Sequence, residues 1–173
     1  SRQKGRQYSV FTDYLEDKNY WGLSSLLRTG DYFNVQMCYH DIPEHLNPFD
    51  YETFDKNPSK GYAVVTNIET GLAEYLPMKN MHRNIDAVRA SASMPLVSRP
   101  VEINGKLYLD GGLADSIPLL HAVTDGCRKN VVVMTKEAGY RRVQPKHLEL
   151  IKARYAKYPK VYCLLYTSPS PRD

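Results

Sequence analysis

Val101-Glu102-Ile103-Asn104-Gly105-Lys106-Leu107-Tyr108-Leu109-Asp110-Gly111-Gly112 decides how the rest of the sequence is read. Two runs of alternating character flank Asn104-Gly105, and Asn-Gly favours a two-residue type I′ turn because both turn residues need positive φ. A β-hairpin is therefore expected, its second strand leading directly into Asp110-Gly111-Gly112. A carboxylate leaving the end of a strand stands where α/β folds place ligands. The two glycines behind it permit positive φ, and their missing side chains let another loop approach closely. In isolation Asp-Gly-Gly is more often an ordinary polar turn after a strand, so its surroundings decide between the two readings.

Working upstream, Asn84 through Ser93 carries Ile85, Val88 and Ala92 on one helical face, and Pro95 stops that helix. Gly61-Tyr62-Ala63-Val64-Val65-Thr66 is a short β-rich run of the kind buried on both faces of an α/β sheet. Asn67 to Gly71 reads as a turn and Ala73 to Leu76 as a neighbouring strand. Residues 1–50 read as helical and loop-like, with Tyr14, Leu15, Trp21, Leu23, Leu26 and Leu27 at irregular helical spacing. Thr29-Gly30-Asp31 interrupts them, and Asp41-Ile42-Pro43-Glu44 reads as a new helix start.

Downstream, Ile117 to Asp125 is expected as a helix with Pro118 near its start and Gly126 at its end. Asn130-Val131-Val132-Val133-Met134-Thr135 reads as a second buried strand, and Pro145 to Tyr158 as a final amphipathic helix. Strands alternating with helices indicate an α/β domain. Its first crossover units are expected to be missing, because the chain opens inside a helical stretch. The domain is assigned to residues 1–162. Residues 163–173 are expected to be a non-native tail resembling translated adapter read-through, since Thr167-Ser168-Pro169-Ser170-Pro171 breaks the helical pattern.

The 173 residues suffice for one domain with a hydrophobic core. No run of 18 apolar residues occurs, and Ser1 to Arg6 lacks the apolar stretch of a secretory signal. The net charge of +4 is spread over scattered Lys and Arg without a nucleic-acid-binding motif, so no nucleic-acid partner is expected. Such charge serves a solvated surface, or peripheral contact with an anionic membrane surface. Cys38, Cys127 and Cys163 form no CxxC and no zinc spacing, which makes a reducing cytoplasm the default location. Nothing in the sequence fixes an oligomeric state.

Ala90-Ser91-Ala92-Ser93-Met94-Pro95, Asn104 through Gly112, and Asp115-Ser116-Ile117-Pro118 together resemble the patatin-like phospholipase family. The likeness is greatest to its bacterial branch of predicted cytoplasmic esterases. It continues through Tyr62 to Thr66, Glu69-Thr70-Gly71 and Val131 to Val133. The resemblance implies a three-layer α/β/α fold, N-terminally truncated here, and a Ser–Asp dyad. In the family the nucleophile lies in a GxSxG elbow preceded by a glycine-rich oxyanion loop. Neither motif occurs in this sequence. The resemblance thus implies a C-terminal fragment lacking the nucleophile region and inactive alone, with Asp110 as its catalytic residue and Gly111 and Gly112 completing the motif.

The implied chemistry is coherent. A serine hydroxyl becomes an effective nucleophile only when a base takes its proton as it attacks an ester carbonyl. A free Asp, with a pKa near ~3.9, is a weak base, and burial would strengthen it. Substrates implied are lipids, phospholipids or other carboxylic esters, with no cofactor and no metal. A competing class is an α/β interaction module that has lost catalysis. Nucleotide binding lacks both GxGxxG and a P-loop.

Other candidates carry less. His121 is expected at a surface or packed position, and His40, His45, His82 and His147 show no metal-ligand pairing. Ser91 and Ser93 lack the glycines of an elbow, and their hydroxyls are expected to bond locally to backbone. Asn67 stands where the family carries Asp in a turn that Asn tolerates equally. Tyr140-Arg141-Arg142 with Lys152, Arg154, Tyr155, Lys157 and Tyr158 is assigned to a solvated helix over the core rather than a lipid-facing one.

Overall fold

A computed structural model describes residues 3–134, 137 and 147–167. Its elements are α1 (Arg6–Tyr14), α2 (Leu23–Thr29), a π-helix (Met37–Leu46), α3 (Tyr51–Asp55), β1 (Tyr62–Asn67), β2 (Ala73–Pro77) and α4 (Ile85–Ser91). They continue with β3 (Val101–Ile103), β4 (Lys106–Asp110), a 3₁₀ turn (Gly111–Leu113), α5 (Leu119–Thr124), α6 (Leu148–Arg154) and α7 (Pro159–Thr167).

The hairpin forms as its turn chemistry predicts. Asn104 and Gly105 take φ of 52° and 77°, and Ile103 pairs with Lys106, Glu102 with Leu107 and Val101 with Tyr108. The Asn67–Gly71 turn closes a second hairpin. There the Asn67 Oδ1 accepts from the Glu69 and Thr70 amides at 3.0 and 3.2 Å, and Gly71 supplies a φ of 72°. Asn is as good as Asp for those two bonds, and its Nδ2 adds a donation to Glu74 at 2.8 Å. β4 then lies against the free side of β1, with Val65 opposite Asp110. The sheet order is β2-β1-β4-β3.

β1 is covered on both faces, as its apolar run predicts: the consecutive residues Val65, Thr66 and Asn67 are all buried. On one face α4 brings Ala90 against Val65, Val101 and Tyr108. On the other, Leu109 joins Ile68, Leu113, Ile151, Tyr155 and Val161, which ties α6 and α7 to the sheet. Each fully buried aliphatic side chain here contributes about 1.5–3 kcal/mol. Mixed α/β architecture follows directly, with helices on both sides of the sheet.

Several expectations are corrected. The described sheet is antiparallel throughout, rather than assembled from crossover units. Tight turns join β1 to β2 and β3 to β4, and α4 lies between the two hairpins, whose inner strands β1 and β4 then pair. Asn130–Met134 is not a buried strand: Val131 and Val133 are 93% and 84% exposed, and no described strand pairs with the segment. Thr135 lies outside the described residues.

The helix placed at Asp41 begins earlier. Asn34 Oδ1 accepts from the Met37 amide at 3.2 Å, and Pro43 sits inside the π-helix. The wider spacing there has Asn47 N donating to Ile42 O, five residues back. On α4 the buried positions are Ala87 and Ala90, the small residues that let the helix approach the sheet, whereas Ala92 is exposed.

Of the final helix expected over Pro145 to Tyr158 the described part is α6, and a further helix, α7, follows beyond it. α6 ends at Arg154, and Pro159, which disfavours helical geometry in the residue before it, starts α7. α7 continues past Cys163 to Thr167, with Leu164 and Leu165 against the core, so no element boundary falls at residue 163. Pro145 and Tyr140-Arg141-Arg142 lie outside the described residues. α5 ends as expected, with Gly126 at a φ of 92°.

Candidate active site

Asp110 is the last residue of β4, and its backbone is fixed on two sides. Its amide donates to the Ser93 carbonyl at 2.9 Å, and its carbonyl accepts from Thr66 Oγ1 at 2.8 Å. Its carboxylate Oδ1 accepts from the Gly112 amide at 2.7 Å and so caps the 3₁₀ turn that follows. The Ala114 and Asp115 amides close that turn on the Gly111 carbonyl at 3.1 and 2.8 Å. A hydrogen bond to a charged acceptor is worth about 1.5–3 kcal/mol, enough to hold the half-buried carboxylate in one orientation. Strand end, loop and turn thus converge on one side chain.

The glycines serve this arrangement differently from the expectation of positive φ. Neither Gly111 nor Gly112 lies in the left-handed region. A β-carbon on Gly111 would stand 2.3 Å from the Val64 carbonyl oxygen and 2.8 Å from the Val64 Cβ. Gly111 is therefore required for close approach, and what approaches is the backbone of β1 rather than another loop. A β-carbon on Gly112 would lie 3.0 Å from Asp110 Oδ1 and crowd the carboxylate itself.

Around the turn, Tyr75 OH donates to Asp115 at 2.6 Å. That bond, with burial adding to it, pushes the Tyr75 phenol up to about 12, so it remains a protonated donor at neutral pH. His121 is packed, as one of its two expected positions had it. Its ring lies flat on Tyr75 at 3.7 Å and edge-on to Tyr62 at 5.1 Å. Ser93 is buried and donates to the Arg89 carbonyl at 2.7 Å, the local backbone bond expected of it. Ser116 donates to the Gly112 carbonyl at 2.8 Å.

Three contributors escaped the sequence reading: Thr66, the Ser93 carbonyl, and the Tyr75–Asp115 pair. Thr66 did carry a signal, since a hydroxyl in a strand buried on both faces must find an acceptor. Behind Thr66, Glu74 collects Asn67 Nδ2 at 2.8 Å, Tyr108 OH at 2.7 Å and Lys106 Nζ at 3.2 Å. Burial alone would raise the Glu74 carboxyl, but those three hydrogen bonds and the Lys106 charge hold it below the usual carboxylate range. Among the described residues no group of three or more His, Cys, Asp and Glu is placed to hold a metal ion. Nor is any described helix long and apolar enough to cross a membrane.

The chain is similar to the uncharacterized protein YjjU of Escherichia coli (strain K12), at 39% identity over 62 residues. That stretch is 35% of this chain and spans only 17% of the relative's length. A family model, that of the patatin-like phospholipases, matches residues 4–123. A match that starts at the fourth residue and covers most of the chain overturns the expectation of an N-terminally truncated, C-terminal fragment lacking the nucleophile region. The inactivity deduced for such a fragment falls with it. With the Asp-Gly-Gly turn at the end of β4 lying inside the matched span, the chain belongs to the patatin-like phospholipase family.

Proposed function

We propose that Asp110 is the proton-accepting carboxylate of a serine ester-hydrolase site whose substrates are carboxylic esters of lipids. In the step envisaged, the serine hydroxyl proton passes to Asp110 as its oxygen bonds to the ester carbonyl carbon. The alcohol then departs with a proton, and water releases the acyl group. Contact with a lipid surface is peripheral in this reading, aided by the net charge of +4.

The observation that carries the proposal is the fixing of Asp110. A general base has to be held within hydrogen-bond reach of the proton it takes. Here the backbone is pinned through Ser93 and Thr66, and the carboxylate is pinned through Gly112. Family membership supplies the substrate class.

The test is hydrolysis of p-nitrophenyl acyl esters by the full chain, with labelling by a fluorophosphonate and mapping of the labelled serine by mass spectrometry. Asp110→Asn keeps the oxygen that accepts from Gly112 and is expected to melt like the parent while losing roughly a thousandfold in kcat/KM. Absence of both hydrolysis and labelling, or an Asn variant as fast as the parent, would sink the proposal.

A further inference from the structure

A concavity of about 300 Å³ lies between α1, the π-helix and α4. Val10 and Phe11 of α1, Ile42 of the π-helix and Ile85 and Val88 of α4 give it apolar walls, and Arg6 lines it as well. None of Asp110, Gly111 and Gly112 reaches it. Its size is at the lower end of small-molecule sites, and mostly apolar walls with one placed charge are the usual composition of such a site.

Arg6 supplies that charge in a fixed position. Its Nε and Nη2 donate to the Asn47 carbonyl at 3.1 and 2.5 Å, and its guanidinium carbon stands 5.4 Å from the centre of the Phe49 ring. A guanidinium carries five N–H donors, and two of them meet this single carbonyl. Among the described residues no carboxylate forms an ion pair with Arg6. The polar groups of the lining do not supply an anion either. Burial pushes the Cys38 thiol up to about 12, and burial with the neighbouring Cys38 does the same to the Tyr39 phenol. Glu44 accepts from Tyr51 OH at 2.8 Å and does not line the cavity. An apolar chain bearing one terminal anion is the ligand whose chemistry answers both features.

We propose that this cavity binds a medium-chain free fatty acid, its chain between α1, the π-helix and α4 and its carboxylate on Arg6. The site is separate from Asp110 and does not depend on the chemistry assigned there. For an ester hydrolase such a ligand would be the acid product, held away from the reacting carboxylate.

The experiment is displacement of cis-parinaric acid from the full chain by decanoate and, separately, by decanol, each below its micelle concentration. Saturable displacement by decanoate at one site is expected, with decanol weaker. Arg6→Gln should weaken decanoate about tenfold and leave decanol unchanged, the loss of one charge-assisted pair. Val88→Trp, or Val10→Phe if the first variant does not fold, should cut both ligands by filling the cavity. Asp110→Asn should bind like the parent, which separates this proposal from the hydrolase reading. Unsaturable displacement, folded filled variants that bind normally, or an Arg6→Gln variant with undiminished decanoate affinity would each overturn it.

Discussion

Tyr62-Ala63-Val64-Val65-Thr66-Asn67 and Asn130-Val131-Val132-Val133-Met134 are short runs with the same valine-rich, β-branched character. The first becomes the central strand β1, with Val65 and Thr66 fully buried. The second carries no regular structure and leaves Val131 93% exposed. Apolarity does not separate them; if anything the second run is the more apolar. What β1 has in addition is polar groups with assigned partners. Thr66 Oγ1 meets the Asp110 carbonyl, and Asn67 holds the turn that returns the chain as β2. A buried polar group costs free energy unless it is paired. Thr66 and Asn67 therefore fix one register for β1, whereas a uniform valine run can satisfy hydrophobicity in many arrangements and needs a ladder partner to choose among them.

The widest separation between the two runs should come from a charge placed in each. Val65→Asp buries a carboxylate between α4 and β4 with no partner, and is expected to cost about 4 kcal/mol or more, close to the whole stability of a small domain. Val132→Asp, in a segment without a ladder, should stay within about 0.5 kcal/mol. Urea denaturation of the two variants against the parent measures both. Equal losses would mean that Asn130–Met134 is as much a part of the folded core as β1.

Next in size is a test of how closely β1 and the turn after β4 must approach. Gly111→Ala would force a β-carbon against the Val64 carbonyl, a backbone atom that cannot rotate away. The expected loss is about 3 kcal/mol, together with ester hydrolysis, because the displaced turn carries the Gly112 amide that orients Asp110. An alanine variant as stable as the parent in the same urea titration would show that β1 can shift, and that its contrast with the exposed run is less rigid than its hydrogen bonds imply.

Local chemistry and the pairing within each hairpin were legible in the sequence, and the pairing between the hairpins was not. Asn104-Gly105 announces its hairpin because few residues other than Asn and Gly tolerate two successive positive φ values. Gly126 marks the end of α5 for the same kind of reason. Asp110 stood out through the motif around it, but the role of Gly111 was misjudged. A glycine needed for space and one needed for positive φ look alike until the neighbouring backbone is known. The Pro43 position misled because a helix start and a π-helical segment both tolerate a missing N–H. The antiparallel pairing of β4 with β1 was missed for a different reason: strand order depends on which edge the chain reaches after a turn, and periodicity along one strand carries no record of that.

The smallest effect is the most selective, because it acts on the polar partners alone. Asn67, Tyr108 and Lys106 converge on Glu74 and thereby join β1, β4 and β2 on one side of the sheet. Their hydrogen bonds hold the Glu74 carboxyl below its ordinary value of about 4.3. A carboxyl depressed in the folded state contributes stability that is fully present above the unfolded value and is lost as pH falls through the folded one. The parent should therefore lose stability relative to Glu74→Gln as the pH drops below about 4.3. The difference should be under about 1 kcal/mol, since the pair with Lys106 is partly solvated. Amide-exchange protection factors at Val65 and Asn67 should fall over that interval, while those at Val131 to Val133, which have no share in the network, should not. Parallel acid profiles for parent and Gln variant would mean that the turn and the ladder fix β1 without Glu74, and would shift the explanation of its burial from the whole polar network to Thr66 and the Asn67 turn alone.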